Sequence, residues 1–441
     1  MKRSQWIKNW AWLALAIATV VLALLWLLNT RDETRIAPVT TGSITEATSP
    51  ALLARGEYLT RAGNCMSCHS ALGGTPFAGG RGIETPFGTV FSSNLTPDAK
   101  TGLGTWTSGD FWRALHNGRS QSGRLLYPAF PYTSYTEVSR ADADAMHAYL
   151  QSLPPVSAPA EPHTLRWPFN TQIALAVWRA LYFTPGTFEP EPLQSADWNR
   201  GAYLVRGLGH CAACHSARDA LGGSNPLNMA GGLIPMQNWY APALTENAEA
   251  GLSKWPVQDV VMLLKTGVAP GASVLGPMAE VVRNSTQHMS LDDLRSMAVY
   301  LKSLPPTVHE EAGLPTAARG PKAQAVATSA LARAGAKLYE NNCAQCHGDN
   351  GQGLAGAYPA LAGNRAVTMT STDNLVQIIL NGGYAPATAG NPRPFGMPPF
   401  MLVLSDTEVA RLLTFLRSAW GNQASQVTAF DVNRSRTGKQ R

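Results

Sequence analysis

The sequence predicts a mainly α-helical chain in which three tandem copies of one unit follow an amino-terminal transmembrane helix. Three observations carry this. A nineteen-residue stretch without a charge, Trp10 to Leu28 (WAWLALAIATVVLALLWLL), stands near the start of the 441 residues. All six cysteines fall in CxxCH motifs: CMSCH at 65–69, CAACH at 211–215 and CAQCH at 343–347. The segments around each motif recur in the same order, which is the mark of a tandem array.

The apolar stretch is long enough to cross the hydrocarbon core of a bilayer. Lys2, Arg3 and Lys8 precede it, so the amino terminus should stay cytoplasmic and the rest should face outward. A cleaved secretory signal is the alternative, but the stretch ends in Trp26-Leu27-Leu28-Asn29-Thr30-Arg31 without a small-x-small cleavage pattern. Residues 1–29 are therefore expected to remain as a membrane anchor. Residues 30–47, polar and aperiodic, read as a tether. Charged residues make up only 15% of the chain, against about 25% in ordinary soluble proteins. The net charge of +6 sits at the two ends. Between them the signs balance, which leaves no basic stripe for nucleic acid.

The three units are expected at 48–156, 196–307 and 328–421. Gly56-Glu57-Tyr58-Leu59, Gly201-Ala202-Tyr203-Leu204 and Gly335-Ala336-Lys337-Leu338 lead into the motifs. A short helix ending in glycine follows: Asp110–Gly118, Asp259–Gly267 and Asn374–Gly382, glycine being a normal helix stop. A closing helix then begins at Ser139, Ser290 or Ser405, with Asp142, Asp293 or Glu408 three residues on, the pattern of a capping box. Each closing helix carries an i, i+3, i+4, i+7 apolar stripe: Met146, Tyr149, Leu150, Leu153; Met297, Tyr300, Leu301, Leu304; Leu412, Phe415, Leu416, Ala419. Pro154-Pro155 and Pro305-Pro306 stop the first two. About a hundred residues is a workable domain size. Yet glycine and proline dominate between motif and closing helix, so a large apolar cofactor would have to supply the missing interior. Residues 308–327 read as a second linker and 422–441 as a polar tail.

Three chemistries use closely spaced thiols. Zinc would take two CxxC pairs, orphan the third, and give no reason for the histidine after every pair. A thioredoxin-like dithiol needs a βαβ context, which is lacking. No cysteine is left over for a disulfide, although the anchor places the chain where disulfides form. Covalent haem satisfies every residue. Cys65 and Cys68, Cys211 and Cys214, and Cys343 and Cys346 would each bond two vinyl groups, while His69, His215 and His347 would ligate three irons. The units then read as class I cytochrome c-like domains holding three covalently bound haem c groups. Methionine is a usual sixth ligand. Met278 (LGPMAE) and Met397 (FGMPPF) fall in the loop after the glycine-ended helix, each flanked by proline. Met262, Met289 and Met297 lie in or beside helices and read as core fillers.

The segments GEYLTRAGNCMSCHSALGGTPFAGGRGIETPFGTVFSSNLTPD, GHCAACHSARDALGG and GPMAEVVRNSTQHMS closely resemble the triheme cytochrome c subunits of bacterial membrane-bound dehydrogenases. That family serves quinoprotein alcohol dehydrogenase and flavoprotein gluconate, sorbitol and fructose dehydrogenases, with relatives serving molybdopterin aldehyde and N-heteroaromatic dehydrogenases. The stretch DFWRALHNGRSQSGRLLYPAFPY is more similar to the molybdenum-associated branch. The resemblance spans about residues 50–420. It implies a periplasmic-facing subunit that passes electrons through its haems to ubiquinone from a separate catalytic subunit of molybdopterin, pyrroloquinoline quinone or flavin type. An organic-substrate site is not expected in this chain. A donor to a terminal oxidase and a haem peroxidase are the competing functions. The alcohol dehydrogenase subunits carry a carboxy-terminal amphipathic membrane segment, whereas here the apolar stretch is amino-terminal.

They also carry methionine in a YPAMPY-like motif where this chain has Phe130, which cannot ligate iron. Met66 lies inside the attachment loop, and Met146 matches the core positions Met297 and Leu412. The sixth-ligand candidate for the first haem is therefore His116, with His147 and His163 behind it. A histidine placed merely for helix-end electrostatics is the plain reading of His116. The first haem is expected to be bis-histidine or five-coordinate. Finally, residues 157–195 form a linker with a helix at Thr171–Phe183. Ile173, Val177 and Leu181, with Trp178 and Tyr182, suit either packing against neighbouring units or docking on the bilayer with the aromatics at headgroup depth.

Overall fold

A computed structural model of the chain describes residues 2–31, 33, 49–245, 249–305 and 330–437. Most of the expected tether and all of 308–327 lie outside these residues. Helix α1 (Lys2–Asn29) is long and apolar enough from Trp6 to Asn29 to cross a membrane.

Each of three helical cores follows one plan: an opening helix, the CxxC turn, a middle helix ending in glycine, and a closing helix crossing the opening one. The opening helices are α2 (Pro50–Ala62), α6 (Ala196–Tyr203) and α10 (Ala330–Asn342). The middle ones are α3 (Ser108–Asn117), α7 (Val257–Thr266) and α11 (Asp373–Asn381). Gly118, Gly267 and Gly382 end them at φ of 57°, 82° and 65°, a region that costs a side-chain-bearing residue energy. The closing helices are α4 (Arg140–Gln151), α9 (Leu291–Ser303) and α12 (Asp406–Ser418). Among the described residues, strands are confined to two-stranded antiparallel hairpins, such as Gly82–Thr85 with Gly88–Phe91.

The opening and closing helices cross so tightly that only glycine fits. A Cβ on Gly56 would lie 2.0 Å from the Ala145 carbonyl oxygen, on Gly201 1.9 Å from that of Ser296, and on Gly335 2.1 Å from that of Arg411. Tyr149, Tyr300 and Phe415 lie against the same glycines. Met146, Leu150, Met297, Leu301, Leu412 and Leu416 are buried beneath the crossings.

Two expectations are corrected here. Of the three closing helices, the one begun by Ser405 has a full capping box with its acid, Glu408, and the other two do not. Asp142 and Asp293 bond partners outside their own caps, described below. The stretch after Gly421 is more than a polar tail: α13 (Ala429–Thr437) folds back onto the third core, with Val427 and Val432 buried in it. Arg417, only 1% exposed, holds this segment by donating from Nε to the Ser425 carbonyl at 2.8 Å and from Nη1 to the Val367 and Met369 carbonyls at 2.8 and 2.7 Å.

The linker helix α5 (Gln172–Tyr182) packs against the end of α1 and against the first unit. Asn29 donates to the Ala176 carbonyl at 3.0 Å and accepts from Arg179 Nε at 3.1 Å. Arg119 donates to the Asn29 carbonyl at 2.8 Å, and Arg113 and Arg119 both pair with Glu33.

Candidate haem sites

In each unit the CxxC turn is a single helical turn, so the two cysteines share one side and the histidine follows at its end. The His69 and His215 amides donate to the Cys65 and Cys211 carbonyls at 2.9 Å, and that of His347 to Cys343 at 2.9 Å. The first cysteine of each pair is turned inward, whereas Cys68, Cys214 and Cys346 are exposed.

The histidines are held alike. His69 Nδ1 bonds the Ser93 carbonyl at 2.7 Å, His215 Nδ1 that of Pro242 at 2.7 Å, and His347 Nδ1 that of Pro359 at 2.9 Å. An imidazole oriented through Nδ1 presents Nε2, the arrangement that metal-ligating histidines use. Burial lowers the pKa of all three rings against the opposing pull of those carbonyls, which keeps them neutral and able to donate a lone pair.

The loop bearing each carbonyl closes over a glycine. Gly79, Gly231 and Gly353 donate their N–H to the His69, His215 and His347 carbonyls, each at 2.8 Å. Their φ values are 77°, 82° and 65°. A Cβ would meet Asn94 N at 2.7 Å, Ala243 N at 2.8 Å and Ala360 N at 2.7 Å. Sequence reading passed over these glycines because they stand at unequal distances after the histidine, and the loop lengths hide the register. What could have found them is a glycine in every unit between the motif and the middle helix.

Burial pushes the Cys65 and Cys211 thiols up to about 12 and that of Cys343 up to about 11. Among the described residues no three His, Cys, Asp or Glu side chains converge to hold a bare ion. A paired-cysteine turn beside a preoriented neutral imidazole fits covalent haem.

Met278, in the first turn of α8 (Pro277–Asn284), packs against the second core, and Met397 packs against the third. Phe130 packs against the first core, beside Tyr135 at 5.3 Å between ring centroids. His116 is held through Nδ1 as the motif histidines are. Its ring is buried, stacked on Trp112 at 4.6 Å, with Nδ1 on the Thr136 carbonyl at 2.9 Å. It ties the end of α3 to the segment before the closing helix, as Lys265 does in the second unit by donating to the Met289 carbonyl at 2.6 Å. His147 lies beside Gln151, and His163 accepts from the Phe91 amide.

The first two sites are built into each other. Asn284 in α8 donates to Ser67 Oγ within CMSCH at 2.8 Å, and Arg81 bridges the Ser67 carbonyl and Glu280. Reciprocally, Ala212 and Ala213 of CAACH face Pro131, Thr133 and Ser134 of the first unit's loop across a small cavity. The third motif has Tyr358 beside Cys346, with Leu354, Tyr384, Phe395 and Leu402 exposed in the same unit.

A cytochrome c family model matches residues 53–154 and 332–420. The chain is 38% identical over 405 residues to the cytochrome c subunit of the quinone alcohol dehydrogenase of Gluconobacter oxydans, covering 88% of this chain and 82% of that one. It is 37% identical over 394 residues to the gluconate 2-dehydrogenase cytochrome c subunit of Pantoea cypripedii, covering 87% and 89%. A nicotinate dehydrogenase subunit of Pseudomonas putida is 39% identical over 448 residues, covering 98% of this chain and 36% of that longer one.

Proposed function

For a chain that belongs to the cytochrome c subunits of membrane-bound dehydrogenases, we propose a triheme electron carrier, anchored by α1 with its haem units in the periplasm, that links a catalytic dehydrogenase to ubiquinone. The observation carrying this reading is the threefold recurrence of one device: paired cysteines, a histidine fixed through Nδ1, and a glycine closing the loop beneath it. Haem c supplies reversible one-electron storage when bound. Cys65 and Cys68, Cys211 and Cys214, and Cys343 and Cys346 would anchor the three haems, and His69, His215 and His347 would supply an imidazole to each. Met278 and Met397 would supply thioether ligands to two of the haems. Phe130 denies the first a thioether, so its potential sits below that of a methionine-ligated haem in like surroundings.

Pyridine haemochrome assay with intact mass of the purified chain tests the count. Three haems are expected, falling to two in the C343A/C346A variant; two in the parent chain would remove the triheme reading. Near-infrared spectra should show two methionine-ligated irons. Phe130→Met should add a third methionine band and raise the lowest of the three potentials. A parent chain already showing three methionine-ligated irons would overturn the assignment of the first site.

A further inference from the structure

Helix α5 is amphipathic in an inverted sense. Its inward face buries Leu175 and Arg179, and Arg179 is its only charged residue. Its outward face carries Ile173, Val177 and Leu181, exposed by 75%, 40% and 61%, with Trp167 just before the helix 81% exposed. Residues four apart stack on one side of a helix, so these three make a charge-free apolar ridge about 12 Å long. A helix facing water carries its charge outward and its apolar residues inward. Here the placement is reversed.

The aromatics expected at headgroup depth are not on this ridge. Trp178 donates from Nε1 to the Leu221 carbonyl at 3.0 Å, and Tyr182 donates to Asp219 at 2.6 Å. They fix α5 to the second unit, so the aromatic pair is a clamp and the aliphatic ridge is what remains outside.

The ridge is continuous with the end of α1. Asn29, the last residue of the apolar helix, is 6% exposed and bonds Ala176, halfway along α5, as well as Arg179. Arg179 also donates to the Asn117 carbonyl at the end of α3. A span that ends at the middle of α5 places that helix at the level where hydrocarbon gives way to headgroups. Arg31 follows the span, and Arg124 adjoins the first turn of α5 through the bond from the Leu125 amide to Gln172. Both are suited to lipid phosphates at that depth.

We propose that α5 lies in the lipid headgroup–acyl boundary, its Ile173–Val177–Leu181 ridge inserted, and so holds the first two haem units at a fixed orientation and distance from the bilayer that α1 spans. The proposal rests on the reading of α1 as a membrane span. An apolar ridge of this kind gains free energy in proportion to the area taken from water, and the Asn29–Arg179 lock removes the freedom that a single tethering helix would leave.

The test uses the full holo-chain in vesicles of phosphatidylethanolamine and phosphatidylglycerol, carrying one added cysteine with a nitroxide label. The positions are Ile173→Cys or Leu181→Cys on the ridge, Leu15→Cys in α1, and Glu340→Cys on the third unit as the aqueous reference. Collision with oxygen, which concentrates in lipid, is compared with collision with a water-soluble nickel chelate. Labels at 173 and 181 are expected to favour oxygen several-fold, at a shallower depth than 15, while 340 favours nickel. Ridge labels as open to nickel as 340, with 15 still in lipid, would overturn the docking of α5 and leave the span intact. Ridge labels shielded from both reagents would mean that protein covers the ridge, and would equally overturn it. A label at 15 open to nickel would overturn the span itself, and the proposal with it.

Discussion

The first two units and the third share a plan but differ in how their closing helices begin. In the third, the N–H of Ser405 donates to Glu408 of the same helix at 2.9 Å, a self-contained cap. In the first two, a tyrosine from the opposite unit occupies that place. The Ser139 N–H donates to Tyr203 Oη and the Ser290 N–H to Tyr58 Oη, both at 3.2 Å. The tyrosines in turn donate to Asp142 at 2.5 Å and Asp293 at 2.6 Å. Arg55 and Arg200 complete the two carboxylates. The exchange is reciprocal, as in an isologous dimer within one chain. At the position of Tyr58 and Tyr203 the third unit has Lys337, which pairs with Glu340 on the surface. One residue in a shared GxYL pattern thus separates a unit that is half of a pair from one that caps itself.

The largest expected effect lies in what all three units share. Gly56→Ala, Gly201→Ala and Gly335→Ala each force a methyl group into a backbone carbonyl and should cost about 3 kcal/mol apiece, read as lost thermal stability and lower haem incorporation. Unequal losses would show that the crossings are not equivalent. Next is Asp142→Ala, which strips a nearly buried carboxylate from Arg55 and Tyr203 and should cost about 2–3 kcal/mol while loosening both of the first two units. Ser405→Ala, the corresponding injury in the third, should cost about 1 kcal/mol and stay local in hydrogen exchange.

Acid should weaken the pairing of the first two units, as it should the Ser405–Glu408 cap, where hydrogen bonds from Ser405 hold Glu408 below its ordinary value. Burial opposes ionisation of Asp293, but hydrogen bonds from Arg200 and Tyr58 outweigh it and hold its pKa below the ordinary carboxylate value of 3.8. A depressed carboxylate stabilises fully above its unfolded pKa, and that stability is lost as pH falls through the folded value. The paired interface should therefore hold down to about pH 4 and weaken below it, followed by exchange protection at α2 and α9. Asp293→Asn should abolish that acid transition. The smallest effects are at the tyrosine position itself: about 1 kcal/mol for Tyr58→Phe or Tyr203→Phe, and close to nothing for Lys337→Met, whose ion pair is exposed.

Much of this was legible in the residues. Helix-stop glycines, serine caps and apolar stripes obey local rules, so the middle and closing helices fall where the periodicity puts them. The cysteine and histidine positions follow from covalent and coordination chemistry that a five-residue motif already contains. Gly56, Gly201 and Gly335 were visible as a repeat, yet their reason was not: a carbonyl far along the chain, in the closing helix, needs the space of a missing Cβ. His116 stood out because it differs from Lys265 and Leu380, and its bond to Thr136 depends on how the chain returns after α3.

The sequence by itself determined the three CxxCH units, their helices and the apolar helix ahead of them, because each depends on neighbours within a few residues. The tertiary structure alone decided which groups meet across long separations. It exchanged Tyr58 and Tyr203, set Ser67 against Asn284, turned Trp178 and Tyr182 inward, and folded residues 429–437 back onto the third core. Such contacts depend on which of several compatible surfaces the packed units bury, and a hydrogen-bonding or apolar side chain carries no mark of its distant partner until that packing is complete.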